Sequence, residues 1–505
     1  MKAWAGMISL LTAAALWASA AGLTGYASGN VRAEGVSTGV NPAEIFPAVS
    51  EQMDEATGTA ARESLQKEAE KIIPSVKCKG ISRSNLHRMT DGDEYSYGTV
   101  GKAATLTLKT SVPVNRFYLR LENACRWKLI FPDGSEKKGG KNRFLHEYVE
   151  WERPVSEFSL SVPANTKITE LCAFSVGKLP EWVQVWEPPC EKADLLILST
   201  HADDEHLWFG GAMPYYAGEL GYQVQVVYLT YHARQTYRGH ELLNGLWTVG
   251  VRHYPVITDK FRDVIATKAS LESAAAYFGR EKVLQFQVEM LRRFSPKVVL
   301  GQDINGEYGH GAHKLNAATL LDALKIYDDP EKYPASAAQY GTGKVGKCYL
   351  HLWDRNTIVV SWSGKVLQQF GGKTAFEMAC EGYRCHKSQL RWNNHVKESG
   401  KYDCRKFGLV YTTVGYDTPG VNDLFEHIDM SVGKQSPKKE TAPVSVTVSE
   451  GDGKAPPEEH ADGSWLSERN LKIAGSVMLI LISVLVFGIC LKRRGLIHKS
   501  PVSTE

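Results

Sequence analysis

The apolar pattern changes period once along the chain, and that change defines two folding units of different kinds. Between about 75 and 188 the period is two. Ala104, Leu106 and Leu108 alternate with Thr105 and Thr107; Phe117, Leu119 and Leu121 alternate with Tyr118 and Arg120; Phe158, Leu160 and Val162 alternate with Ser159 and Ser161. Alternation turns one face of each strand to a core and the other to water. Asp133-Gly134 marks a tight turn after a strand around Trp127 and Leu129. Several short half-buried strands with no helix between them predict an all-β sandwich over 75–188.

From 189 to 432 strands and helices alternate. Ala193 to Leu198 and Val224 to Leu229 are short buried runs, and Lys297 to Leu300 follows Pro296 as another. Between and after them, Leu207 to Gly221, Arg238 to Val249 and Lys282 to Arg293 carry helical patterns. β-branched runs separated by helices predict an α/β domain with a parallel sheet. Ahead of both units, residues 21–74 read as a flexible and helical lead. Within it, Ala61, Leu65, Ala69 and Ile72 recur at helical spacing over 59–73, and Pro74 stops that helix.

Both ends carry targeting patterns. Lys2, the apolar stretch Ala3 to Trp17 and the small residues Ala18-Ser19-Ala20 predict a signal peptide over 1–20. Residues 471–491 contain the uncharged run Ile473 to Leu491, which as a helix spans roughly 28 Å, enough to cross a hydrocarbon core. Lys492, Arg493, Arg494 and Lys499 follow it, so the positive-inside rule places a cytoplasmic tail at 492–505 and the ectodomain outside the cell. Residues 433–470, rich in Pro, Ser, Lys and Glu, read as a disordered tether. The expectation is a single-pass cell-membrane protein with a large extracellular part.

The 505-residue chain carries 59 basic and 56 acidic residues, a net charge of +3, which supplies no general electrostatic attraction for nucleic acid. Eight of its nine cysteines precede the apolar span, and Cys380, Cys385 and Cys404 lie close enough in sequence for a bridge among them or for buried free thiols. No CxxC pair supports a thiolate metal site.

Chemistry concentrates after two of the predicted strands. His201-Ala202-Asp203-Asp204-Glu205 follows the strand ending at Ser199-Thr200, and Glu307 to His313, reading EYGHGAH, follows Val298 to Leu300. Open α/β sheets build their sites outside the carboxyl ends of strands, so the two clusters converge. His201, Asp204 and His313 offer two imidazoles and a carboxylate, a set that suits zinc with one position left open. Asp203 is then a carboxylate free to accept a proton, and His310 a donor toward a developing oxyanion. His206, His232, His240 and His253 read as structural, and Trp182 and Trp186 as packing between the two units.

These residues resemble the PIG-L/LmbE family of zinc-dependent sugar N-deacetylases. Thr200 precedes HADDE where the family has an AHPDDE-type motif, with Ala202 in place of the usual proline. Gly309-His310-Gly311-Ala312-His313 is similar to its GHxxH-type motif, and Arg238-Gly239-His240-Glu241 to its R-x-x-E pair. The resemblance is carried by about 190–320, extends to 432, and implies for 189–432 a Rossmann-like fold and hydrolysis of an N-acetyl group from an amino sugar. It further implies His201, Asp204 and His313 as zinc ligands, Asp203 as general base, His310 as the oxyanion-side acid and Arg238 as a substrate contact. The segment 75–188 resembles discoidin-like, galactose-binding-type sandwiches through Thr90-Asp91-Gly92-Asp93 and Glu170. Three functions follow as expectations: a membrane-anchored zinc N-deacetylase of glycans, a surface carbohydrate-binding protein with an inactive deacetylase-like domain, or a zinc hydrolase of another acyl bond.

Overall fold

A computed structural model describes residues 67–431, apart from 233, 234 and 393. The expected signal peptide, most of the expected lead, and the expected tether, membrane span and tail lie outside the described residues. Among the described residues, no helix is long and apolar enough to cross a membrane.

The first unit is antiparallel. Its strands are β1 (Lys71–Ile72), β2 (Ser75–Lys77), β3 (Gly98–Val100), β4 (Ala104–Leu121), β5 (Trp127–Ile130), β6 (Glu136–Gly139), β7 (His146–Val162) and β8 (Thr166–Phe174), with a short helix α1 (Arg83–His87) before β3. They form one eight-stranded sheet in the order β1-β8-β4-β7-β5-β6, with β2 on β4 and β3 on β8. The long strands β4 and β7 pair along two stretches separated by a register break between Lys109 and Val114. Residues from both stretches, Leu106, Leu108 and Phe158 from one and Phe117, Leu119 and Val149 from the other, share a single buried cluster. Both halves of these strands therefore contribute to one core, as the period-two pattern predicts for half-buried strands. Asp133-Gly134 makes the β5–β6 turn, with the Asp133 carboxylate accepting from the Ser135 amide at 2.9 Å and Gly134 at φ +83°.

The second unit holds β9 (Leu195–Ser199), β10 (Val224–Tyr228), β11 (Val256–Ile257), β12 (Val298–Gly301), β13 (Lys347–His351), β14 (Thr357–Val359) and β15 (Lys406–Thr412). Their order is β11-β10-β9-β12-β13-β15-β14, parallel through β13 and antiparallel beyond. The helices are α2 (Asp204–Leu207), α3 (Tyr237–Thr248), α4 (Leu271–Phe278), α5 (Arg280–Phe294), α6 (Gly311–Ala323), α7 (Pro334–Tyr340) and α8 (Ala375–Arg384). Along β9, Leu195 and Ile197 enter one hydrophobic layer with α3 and α8, while Leu196 and Leu198 enter the other with α5 and α6. Burial on both faces explains why β9 is apolar without alternation. The chain runs from β9 outward to β10 and β11, then returns to β12 on the opposite side. The carboxyl ends of β9 and β12 thus flank a topological switch point.

Two expectations are corrected. The helix over 59–73 does not extend to its end: Lys71–Ile72 is a strand, paired antiparallel with Phe174 and Ala173, so an edge-strand ladder overrides the helical spacing there. The helix expected over Leu207 to Gly221 is broken into α2 and a π-helical segment, Pro214–Glu219. Between them Gly210, at φ +52°, lies so close to Trp362 that a Cβ would sit 2.7 Å from its ring. Of the two alternatives for Cys380, Cys385 and Cys404, the unbridged one holds: the eight described cysteines are all free thiols. Cys404 is fully buried in the core and the Cys385 thiol lies 3.5 Å from the Thr248 hydroxyl.

The two units are clasped through α3. Tyr95 donates to Glu241 at 2.8 Å, His146 Nε2 meets His240 Nδ1 at 2.7 Å, and Asn244 donates to Glu94 at 3.0 Å. Each tryptophan of the junction serves one side. Trp182 packs on Tyr118 and Phe174 of the sandwich, Trp186 on Trp247 and Tyr254 of the α/β unit.

Candidate metal centre

The strand β9 ends at Ser199, and the chain turns at once into α2, so His201 and Asp204 project at the sheet's carboxyl edge. The loop after β12 delivers His310 at the N-cap of α6 and His313 in its first turn. His201 Nδ1 lies 3.1 Å from Asp204 Oδ2 and 2.9 Å from His313 Nε2, and His313 Nε2 lies 3.2 Å from Asp204 Oδ2. Donors about 2.0–2.1 Å from a tetrahedral zinc stand about 3.3–3.4 Å apart, so this triangle is close to the size that such an ion requires. All three residues are buried.

The surrounding side chains aim these donors. Asp204 Oδ1 accepts from Trp208 Nε1 at 2.8 Å and Oδ2 from Gln302 Nε2 at 3.0 Å. Glu307, fully buried, accepts from His313 Nδ1 and from His351 Nδ1, both at 2.8 Å. Burial alone would raise the Glu307 pKa, but these two hydrogen bonds hold it down at about 2. An ionised carboxylate on Nδ1–H leaves His313 Nε2 directed at His201 and Asp204. Burial opposes charge on His313, yet Asp204 and Glu307 prevail and raise its pKa to about 10. On the far side of His201, Asp263 stands 3.6 Å from Nε2.

Asp203 and Arg238 form a second pair beside this triangle. Arg238 Nη2 lies 3.4 Å from Asp203 Oδ1, donates to the Ala202 carbonyl, and is itself almost entirely buried. Asp203 sits at φ +117°, a strained conformation for a residue with a side chain, and its amide donates to Glu205 Oε2 at 2.8 Å. Burial pushes its pKa up, against the pull of Arg238, to about 6. His310 stacks on His313 with ring centroids 4.6 Å apart and meets His201 edge-on at 4.8 Å. Its Nδ1 accepts from the Ala312 amide at 3.3 Å, so in the neutral ring Nε2 carries the proton. Burial and the neighbouring His201 and His313 rings push its pKa down to about 3, which keeps that ring neutral.

The structure thus brings together His201, Asp204, His310 and His313, with Asp203 and Arg238 on the adjoining loop and helix. Glu307, Gln302 and Asp263 went unnoticed in the sequence. Glu307 stands in the EYGHGAH run, but its orienting role depends on a helical turn and on His351 from β13. Of the remaining histidines, His240 belongs to the clasp with His146, His253 bonds the Pro188 carbonyl at 2.8 Å, and His232 lies 3.3 Å from Arg238.

Glu307→Gln should weaken zinc binding about 10–100-fold with the fold retained, because a neutral amide cannot accept from both imidazoles as the carboxylate does. Competition with a chromogenic chelator measures this. An unchanged affinity would show that Glu307 does not orient His313.

No protein-family model and no curated protein matches the sequence. Among solved structures, the chain is similar to an N,N'-diacetylchitobiose deacetylase from Pyrococcus horikoshii at 16% identity, over 48% of this chain and 90% of that one, with a TM-score of 0.33. It is also similar to the zinc-inhibited form of teicoplanin deacetylase Orf2, at 15% identity over 42% and 88% with a TM-score of 0.27. A pectin-binding carbohydrate-binding module matches at 14% identity over 22% and 96%, with a TM-score of 0.18.

Proposed function

We propose that this chain is a zinc-dependent hydrolase that removes N-acetyl groups from N-acetylglucosamine-type amino sugars or glycans. The observation that carries the proposal is the triangle of His201 Nδ1, Asp204 Oδ2 and His313 Nε2, with sides of 2.9–3.2 Å, at the switch point of the sheet. Zinc held there supplies Lewis acidity toward the amide carbonyl and the attacking water. His201, Asp204 and His313 would hold the ion. Asp203, raised toward neutrality by burial, accepts the proton that water loses as it attacks. His310 presents Nε2–H toward the carbonyl oxygen as negative charge develops on it. Arg238 braces Asp203 and the Ala202 carbonyl, so it acts on substrate through the loop that it holds as well as by charge.

The anchoring belongs to the same proposal: a signal peptide at 1–20, an extracellular ectodomain and one membrane span at 471–491. The substrate is then a glycan met outside the cell. A purely carbohydrate-binding role would have no use for Asp203 and His310 beside a complete ligand set. Acetate release from a panel of N-acetylated amino sugars and glycans tests the proposal. Folded, zinc-loaded protein that binds such glycans and leaves every acetyl group in place would replace it with the binding role.

A further inference from the structure

A second cluster of metal-ligating side chains lies behind the loop of Asp203; the catalytic reading uses only Glu205 Oε2 of it, and the clasp uses none. Glu205 and His206 come from α2, and His386 follows α8. All three are fully buried. Glu205 Oε1 lies 3.1 Å from His386 Nε2 and 3.5 Å from His206 Nε2. Neither ring nitrogen of His206 has a hydrogen-bond partner among the described residues, and neither does His386 Nδ1. A buried imidazole with both nitrogens unpartnered is uncommon and calls for a ligand. Two glycines keep the space around these rings open. A Cβ on Gly245 of α3 would lie 2.7 Å from His206 Nε2 and 3.1 Å from His386 Nε2, and one on Gly382 of α8 would lie 2.3 Å from His206 Cε1. Both Nε2 atoms thus border one small cradle, next to a carboxylate oxygen.

We propose that Glu205 Oε1, His206 Nε2 and His386 Nε2 bind a second divalent cation of the zinc class, distinct from the ion at His201, Asp204 and His313. The two measured spacings bracket the roughly 3.3–3.4 Å expected between ligands of a tetrahedral zinc, and two imidazoles with a carboxylate suit that metal. The ion is structural. Its carboxylate ligand uses the other oxygen, Oε2, to hold the Asp203 amide at 2.8 Å, so an ion here ties α2 and α8 to the strained loop of the base. Being fully enclosed, it enters as the chain folds and exchanges slowly. The proposal concerns metal content alone and stands whether or not the protein releases acetate.

The test uses the full-length chain purified in detergent after expression with zinc. Elemental analysis should give two zinc ions per chain, and brief treatment with EDTA under native conditions should leave one. His386→Gln should hold one zinc before EDTA and none after it, whereas His313→Ala should hold one that survives EDTA. Crystals of the wild-type protein measured at the zinc edge should show two anomalous peaks, one of them between His206 and His386; this readout needs no variant to fold. A single peak at His201, Asp204 and His313, or a His386→Gln protein with the zinc content of wild type, would overturn the proposal.

Discussion

Asp203→Asn is expected to leave folding and zinc content near wild type while lowering acetate release by on the order of 10² or more. General-base assistance is typically worth about 10²–10⁴-fold, roughly 3–5 kcal/mol of barrier. Asparagine matches aspartate in size and tolerates the positive φ of this position, so the backbone at +117° has little reason to move. The hydrogen bond that holds the loop runs from the Asp203 amide to Glu205, and the substitution leaves it in place. What disappears is a carboxylate that burial has brought to a pKa of about 6 and that can take a proton from water. Steady-state rates and elemental analysis on the same preparation separate the two effects. A variant as fast as wild type would keep the hydrolase and remove Asp203 as its base.

His313→Ala should have the larger effect, because it removes the ion and not only a proton acceptor. Two donors remain of three, and an open site with three protein ligands rarely survives that loss. The variant should contain one zinc per chain fewer than wild type, and its acetate release should fall below that of Asp203→Asn. Glu307 also loses a hydrogen-bond donor, although His351 still supplies the other. Wild-type zinc content in this variant would place His313 outside the ligand set.

The parts of the site that were legible in the sequence are those written in one stretch of chain. HADDE and EYGHGAH each lie within a loop and the first turn after a strand, so their identity and their shared location follow from the strand–helix alternation. The parts that were not legible depend on partners distant in sequence. Asp263 reaches His201 across 62 positions, and Glu307 gains its second imidazole from His351 in a neighbouring strand. Glu205 closes the legible motif and His206 follows it directly, yet their common neighbour, His386, arrives 180 residues later on the far side of α8. Local pattern misled in two places for a similar reason. Ile72 follows a helical spacing but pairs with Ala173, and the Leu207 to Gly221 stretch breaks where Gly210 must approach Trp362. In both cases a contact made by folding outweighed local propensity. The sandwich was recognisable from its alternation; its attachment to α3 through Tyr95, His146 and Glu94 was not, because those residues look like ordinary polar positions until the two units meet.

If a metal held by His201, Asp204 and His313 drives hydrolysis of an N-acetyl group, acetate release depends on that metal. Full-length protein in detergent is assayed on N-acetylated amino sugars and glycans as purified, after brief native chelation, and after zinc is returned. The purified protein should release acetate, lose that activity on chelation and recover it with about one equivalent of zinc. Release that persists unchanged after the exchangeable zinc has been removed, or none at all from folded and zinc-loaded protein, would contradict this expectation.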